Sequence, residues 1–560
     1  MKSAIWAIGR RRSTDKNCSN RLQSFAPSDP KEHDFSMASA LDFSRNYSYL
    51  AIAGFFGFLA FMLQPTAYTW GEQDMMPFFE RIFDKNYLPN DFFTNTTVVK
   101  NPRWVYGYII VALSWISGLS WYKTLYILKL FLSILNPILY YKVSYALVRN
   151  YVDKSKLSVL APIILGAVVL MVFLEGYREF FTIASWLNYT QAIQANSLSL
   201  VFCLSAILLK ENGARSIFYL LFFLAGCLIH PTVGFFGALF YILFLIPEYK
   251  KEGKNILKIA LSCILGMAFI KVIFSSDSSL STSEFINYYV LERHPWHYHV
   301  PYYKIYIENW MSFFVKINFL FLIPLCYSII KKYKKLILLA ALSLFFYAGA
   351  IAIQYVFIDL YPVKMIAYLG VSRFTSFGYW MLVPLWGILL ADFIGENRHF
   401  IFPNLTLKNF RLIIINLIFV GIVFLDDPKE DRYRKKKDFY DFVSSTPKDA
   451  IFITYSTKLN TDLRIIGRRG VLVGLEFPFT ETAIKEYSNR FSSVYGSRQK
   501  ELNGTNFYRN LGAKDFLEMG KNYQLDYIVT ENSVGSPFGA NIPVWNNNEY
   551  QIYKVKNLRL

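Results

Sequence analysis

Apolar stretches close to membrane-spanning length recur from about residue 46 to residue 425, divided by short polar breaks. A hydrocarbon layer about 30 Å thick takes about 20 apolar helical residues to cross. No water-soluble core demands that length repeatedly, so the pattern restricts the chain to a polytopic α-helical membrane protein. The composition agrees, because 54% of residues are hydrophobic and only 18% are charged. The three or four soluble domains that 560 residues could otherwise supply are thereby excluded.

A formal charge of +19 would fit nucleic-acid binding if it formed one patch. It does not: Lys and Arg sit in short runs between apolar segments, at Arg149, Lys154 and Lys156, at Lys250, Lys251 and Lys254, and at Lys331, Lys332, Lys334 and Lys335. That is the pattern of cytoplasmic loops under the positive-inside rule, and it argues against a nucleic-acid partner. Residues 1–45, with Arg10, Arg11 and Arg12, read as a basic, disordered cytoplasmic tail without a cleavable signal; Met37 is an alternative start.

With that tail inside, the first span is expected at 47–64 and residues 65–104 lie outside. The stretch 104–119 is short for a crossing and is expected as a membrane-surface helix, since a second crossing there would put the 149–156 basic loop outside. Further spans are expected at 122–147, 157–174 and 190–209, then as a tight pair over 216–247 broken at His230-Pro231, where proline removes a backbone donor. The last are expected at 255–275, 309–330, 336–357, 375–394 and 410–425. The count is about eleven, and the C-terminus lies outside. Residues 427–560 change character: short apolar strands at 450–454, 470–473 and 526–529 alternate with helical stretches near 480–491 and 513–522, the pattern of a small α/β domain. None of the five cysteines falls in it, so it has no disulfide scaffold.

Ionisable residues collect on one side of this layout. Glu72 and Asp74 follow the first span; Glu175, Arg178 and Glu179 follow the third; His230 caps the tight pair; Arg293, His294, His297 and His299 occupy the loop after 255–275; Arg373 precedes 375–394. Charged groups at membrane depth are costly and mark function. A carboxylate can take a proton from an acceptor hydroxyl, and Arg offers a fork that matches a phosphate, so these residue types suit transfer of a group from a lipid phosphate. Each also has a plain structural use: the acids as solvated loop residues, Arg178 as an ion-pair partner of Glu175 or Glu179, His230 as a helix cap. Three histidines in one loop leave a divalent cation open as a cofactor without defining its ligands.

The acidic motif after the first span, the surface helix ending in Gly118-Leu119-Ser120, the His-Pro break and the outer α/β domain resemble the GT-C superfamily of membrane glycosyltransferases. Leu88-Pro89-Asn90-Asp91-Phe92-Phe93, the Arg293–Pro301 run and Gly467-Arg468-Arg469-Gly470 are similar to an uncharacterised bacterial group of that type. The likeness spans about residues 45–560. It implies a GT-C-like domain at 46–426, a periplasmic α/β domain at 427–560 and a bacterial inner-membrane location. It further implies a polyprenyl-phosphate-type lipid-linked sugar donor and a glycan, lipid or protein acceptor of the cell envelope. The catalytic carboxylate falls to Asp74 or Glu72 and phosphate contact to Arg293 or Arg373; Gln73 separates two acids that are adjacent in the commonest family pattern.

Two other readings use the same residues: an O-antigen-type polysaccharide polymerase, and a transporter or flippase for lipid-linked glycans. A transporter needs midplane ionisable residues and repeats, whereas the span interiors are apolar apart from Lys129, Lys271 and Lys316. The outer domain is expected to cover the site and help bind the acceptor, with Asp462, Arg464, Arg468, Arg469 and Arg490 facing either the substrate groove or solvent.

Overall fold

The computed structural model describes residues 33–63, 75–98, 101–153, 156–173, 195–274, 280–293, 317–394, 412, 416, 433–474, 476, 478, 480–496, 505–532, 538 and 541–559. The first helix runs His33–Leu63, starting well before residue 46 because no Gly or Pro interrupts the chain until Gly54. Among the described residues, four helical stretches are long and apolar enough to cross a membrane: Trp121–Tyr151, Pro231–Val272, Lys334–Leu360 and Phe377–Ile394. Shorter apolar helices lie at Tyr47–Met62, Trp104–Ser117, Leu157–Val169, Ser216–Ile229 and Phe319–Ile330. The chain is therefore a multi-pass membrane protein. The eleven expected crossings are met only in part, since just 412 and 416 of the expected last span are described.

Local chemistry sets the breaks. Helix Trp104–Ser117 has 14 residues, ~21 Å of rise against the ~30 Å of a hydrocarbon core. It stops at Gly118, whose φ of +67° is left-handed and free of a Cβ penalty only in glycine. Trp115 and Ile116 near its end are 82% and 80% exposed, as suits a helix lying at an apolar–polar boundary. His230 is extended (φ −147°, ψ 99°), ending helix Ser216–Ile229 and capping Pro231–Leu245, with Pro231 in the first turn where its missing N–H costs nothing. A 3-10 turn at Ile246–Glu248 then folds helix Tyr249–Phe274 back against the pair.

In lipid, helices adhere through close packing and polar bonds rather than hydrophobic drive. Small residues provide that here. Ser199 donates to the Gly226 carbonyl at 2.7 Å. Ser343 donates to the Gly378 carbonyl at 2.6 Å, and a Cβ on Gly378 would lie 2.5 Å from the Ser343 carbonyl oxygen. That crossing lies beside the first of two π-helical segments, Phe345–Gly349 and Tyr355–Leu360, within the Lys334–Leu360 helix.

The basic residues meet acids at one end of the bundle. Lys156 binds Asp392 at 2.8 Å, Lys210 binds Glu252 at 3.0 Å, and Lys335 binds Glu248 at 3.0 Å. Arg149 donates to Asn212 at 3.3 Å at the same end.

The α/β region carries a five-stranded sheet in the order β2-β1-β3-β5-β4. Strands β1 (Ile451–Thr454), β2 (Gly470–Val471) and β3 (Tyr527–Glu531) are parallel neighbours. Strands β4 (Trp545–Asn546) and β5 (Tyr550–Lys554) add an antiparallel edge. The expected helices stand at Glu481–Tyr495 and Ala513–Tyr523. Thr457–Ile465, which crosses from β1 to β2, is additional to the sequence reading.

Gly378→Ala should lower the thermal midpoint of the detergent-solubilised protein by the equivalent of about 1–3 kcal/mol, because the clashing atoms are backbone. Gly253→Ala, where a Cβ meets nothing within 4 Å, should leave it unchanged or raise it slightly. A Gly378→Ala protein as stable as the parent would remove the close-crossing account.

Candidate functional site

Of the residues singled out in the sequence, Glu72, Asp74, Glu175, Arg178, Glu179, His294, His297 and His299 lie outside the described residues. Arg293 ends the π-helical segment Ile286–Arg293 and Arg373 lies in the 3-10 turn Val371–Phe374, each described in its backbone alone. His230 is described in full: it is 7% exposed, and its Nδ1 accepts from the Val233 N–H at 3.3 Å. Its cap role is thus visible. Among the described residues no group of three or more His, Cys, Asp or Glu could hold a metal ion.

The described flanks of three of these clusters converge on one helix, Glu481–Tyr495 of the α/β region. From the segment after Asp74, the Phe92 ring lies 4.5 Å from the Arg490 guanidinium, which also meets the Tyr523 ring at 4.9 Å. From the segment leading to His294, Glu292 accepts from Ser488, and Glu284 pairs with Lys485 at 3.6 Å. From the segment leading to Arg373, Lys364 binds Glu481 at 2.8 Å and Tyr368 donates to the same carboxylate. Lys364 also donates to the Leu280 carbonyl at 3.0 Å, so the second and third segments are bonded to each other. Phe374, beside Arg373, stacks on Phe236 in the helix that His230 caps.

The first segment is held most firmly. Asp91 is fully buried and accepts four hydrogen bonds: from Arg464 Nε at 3.0 Å, the Val471 N–H at 2.9 Å, the Thr94 N–H at 2.8 Å and the Thr94 hydroxyl at 2.7 Å. Arg464, 2% exposed, turns Nη1 to Glu476 at 2.5 Å and lies 5.1 Å over the Phe93 ring. Glu476 also accepts from Thr461. Burial opposes the Arg464 charge, but the Asp91 and Glu476 carboxylates outweigh it and hold the guanidinium above its ordinary pKa. Tyr87 donates to the Arg464 carbonyl at 2.6 Å; burial first, then Glu80 and Asp91, push its phenol well above the usual range.

Backbone geometry in both partners is unusual. Leu88 and Arg468 have φ of 48° and 50°, a left-handed conformation that costs a non-glycine residue about 1–3 kcal/mol. Arg81 clasps the first turn, donating to the Tyr87 and Leu88 carbonyls at 2.8 and 3.0 Å and to Asn95 Oδ1 at 2.9 Å. Arg468 reaches Asp84 at 3.0 Å and Glu80 at 3.7 Å.

Four described arginines of the α/β region thus have structural partners. Arg464 and Arg490 hold the first segment, Arg468 binds its acids, and Arg469 is buried against the Ser444 and Thr446 carbonyls and the Thr446 hydroxyl. Sequence reasoning left the Asp91–Arg464–Glu476 cluster unread, although its members lie in or near the Leu88–Phe93 and Gly467–Gly470 motifs.

Asp91→Asn should weaken docking of residues 76–98 on the α/β region by about 3–5 kcal/mol, because Arg464 stays buried without its first counter-ion. Limited proteolysis near residues 84–90 should accelerate accordingly. Asp91→Asn with Arg464→Met should lose less than the two single losses together, and strict additivity would show that the pair does not couple.

No family model matches the chain, and no curated protein does. Among solved structures, the chain is similar to the Archaeoglobus fulgidus oligosaccharyltransferase crystallised with zinc and sulfate, at a TM-score of 0.41 and 13% identity over 86% of this chain and 68% of that one. At those values the likeness assigns neither a family nor an activity to the chain.

Proposed function

We propose that the chain is a GT-C-type glycosyltransferase moving a sugar from a polyprenyl-phosphate-type lipid-linked donor to a cell-envelope acceptor, on the side of the membrane that carries residues 427–560. In a bacterial inner membrane that side is the periplasm. The observation that supports this reading best is the shared attachment of three segments to helix Glu481–Tyr495: the one that follows Asp74, the one that leads into Arg293 and His294, and the one that leads into Arg373. Their lysine-rich counterparts pair at a different end of the bundle.

The chemistry follows from the residue types. Asp74, or Glu72 beside it, takes the proton of the acceptor hydroxyl as the hydroxyl attacks the sugar's anomeric carbon. The bond from that carbon to the lipid-phosphate oxygen breaks, and Arg293 and Arg373 hold the departing phosphate and its charge. Arg178, Glu175, Glu179, His230, His294, His297 and His299 line the donor's phosphate and sugar. A lipid donor accounts for a site at the membrane edge, and a divalent cation bound there would add to phosphate neutralisation. The α/β region fixes the loops that carry these groups and covers the acceptor side.

Asp74→Asn should lower transfer by about 10²–10⁴-fold, the usual contribution of a positioned base. Lipid extracts of Asp74→Asn cells should accumulate a polyprenyl-linked sugar while the surface glycan it feeds declines. Unchanged glycolipids and surface glycans in that strain would refute the transferase reading. Arg373→Ala should raise KM for the lipid donor more than Arg373→Lys does, since Lys keeps the charge and loses the fork.

A further inference from the structure

A cleft of about 650 Å³ opens between the helices Phe319–Ile330 and Leu382–Ile394. Its size falls within the ~300–1,000 Å³ of ligand pockets. Its walls are apolar, formed by Leu322, Ile323, Leu389 and Phe393, with Ile323 40% and Phe393 85% exposed. Its head is polar: Tyr327, Lys331 and Asp392 line it at the lysine-rich end of the bundle.

The charges at the head do not cancel. Asp392 accepts from Lys156 at 2.8 Å and from the Tyr327 hydroxyl, while Lys331 stands farther off at 3.7 Å. Lys156, whose side chain is only 17% exposed, is shared between Asp392 and Asp153, the latter at 3.8 Å, so the surplus positive charge at the head comes from Lys331 and the lysines next to it. Lys331 is the outward cation, with 44% of its side chain exposed, and Lys332 and Lys334 beside it are exposed too. Asp392 is therefore already neutralised from within, leaving the Lys331 ammonium to meet an anion arriving along the apolar walls.

We infer that this cleft is a binding site for one anionic phospholipid of the leaflet on the lysine-rich side. Its phosphate sits at Lys331, and an acyl chain lies between the two helices. An apolar trough closed by an excess of positive charge matches a molecule with an apolar tail and an anionic head. Basic pockets between membrane helices recruit such headgroups. Bound there, the lipid bridges two helices and steadies the Lys156–Asp392 link between the ends of Leu157–Phe173 and Leu382–Ile394.

The test uses the intact protein in detergent, mixed with equal amounts of phosphatidylglycerol and phosphatidylcholine, with bound lipid counted by native mass spectrometry. One phosphatidylglycerol per chain should be retained in preference to phosphatidylcholine. Lys331→Gln should cut that preference about fivefold, the factor one lysine near an anionic headgroup is worth. Leu389→Trp, which fills the trough and leaves the charges, should remove the bound lipid altogether, and Lys250→Gln, on the same basic side, should change nothing. Inorganic phosphate in excess should not displace the lipid, because it lacks the tail. A preference that survives Lys331→Gln, or one that Lys250→Gln weakens equally, would overturn the inference. So would lipid retention in Leu389→Trp or displacement by phosphate.

Discussion

One guanidinium fastens the α/β region to the first segment after the membrane. Arg464 lies in a space almost without water, held by Asp91 on one side and Glu476 on the other. A buried ion of this kind is tolerable only when neighbouring lone pairs and donors are used, and Asp91 accepts from four donors on three residues to that end. Arginine suits the position because its separate nitrogens address two carboxylates while its flat face covers the Phe93 ring. These bonds join residues 91–94 to the helix Thr457–Ile465 and to strand β2.

From that point the constraint spreads to the other segments. The helix Glu481–Tyr495 follows Glu476 by a few residues, and it presents Glu481, Lys485, Ser488 and Arg490 to three different stretches of chain. Helices within a bilayer gain little from hydrophobic association with one another, and the loops between them lie outside the hydrocarbon altogether. A folded sheet whose own core packs around Phe516, Ile528 and Tyr553 gives those loops a rigid surface to bind. Glu481 serves this directly, since its buried carboxylate receives both Lys364 and Tyr368.

Much of this architecture is legible in the sequence because it follows from local rules. The apolar runs, the His230-Pro231 break, the Gly118 stop and strands β1 to β3 all depend on residues within a few positions of one another. Strands β4 and β5 escaped because Trp545–Lys554 mixes Asn, Glu and Gln with aromatics and carries no clean alternation; its pairing with β3 is decided by the rest of the sheet. The ionic cluster escaped for a stronger reason. Asp91 and Arg464 are 373 positions apart, and a charged residue read in isolation is most simply a solvated one. The His230 cap follows from local rules as well, since the side chain precedes Pro231 and its Nδ1 accepts from the Val233 N–H.

The segment that begins at Met75 is itself held by packing along its whole length. Met75, the residue after Asp74, is 1% exposed, and Asn101 donates to its sulfur at 3.3 Å. The helix Met76–Phe83 follows at once and buries Phe78 and Phe79 among Trp104, Tyr106, Tyr108 and Trp121. At its far end Arg81 clasps the left-handed Leu88 turn, and Asp91 lies one short turn beyond. Here the backbone beside Asp74 is pinned on its C-terminal side to an aromatic floor, and that floor is in turn tied to the buried Arg464. The surface helix, the start of the Trp121–Tyr151 helix and the α/β region thus meet on this one segment, and each is held by contacts that the others complete.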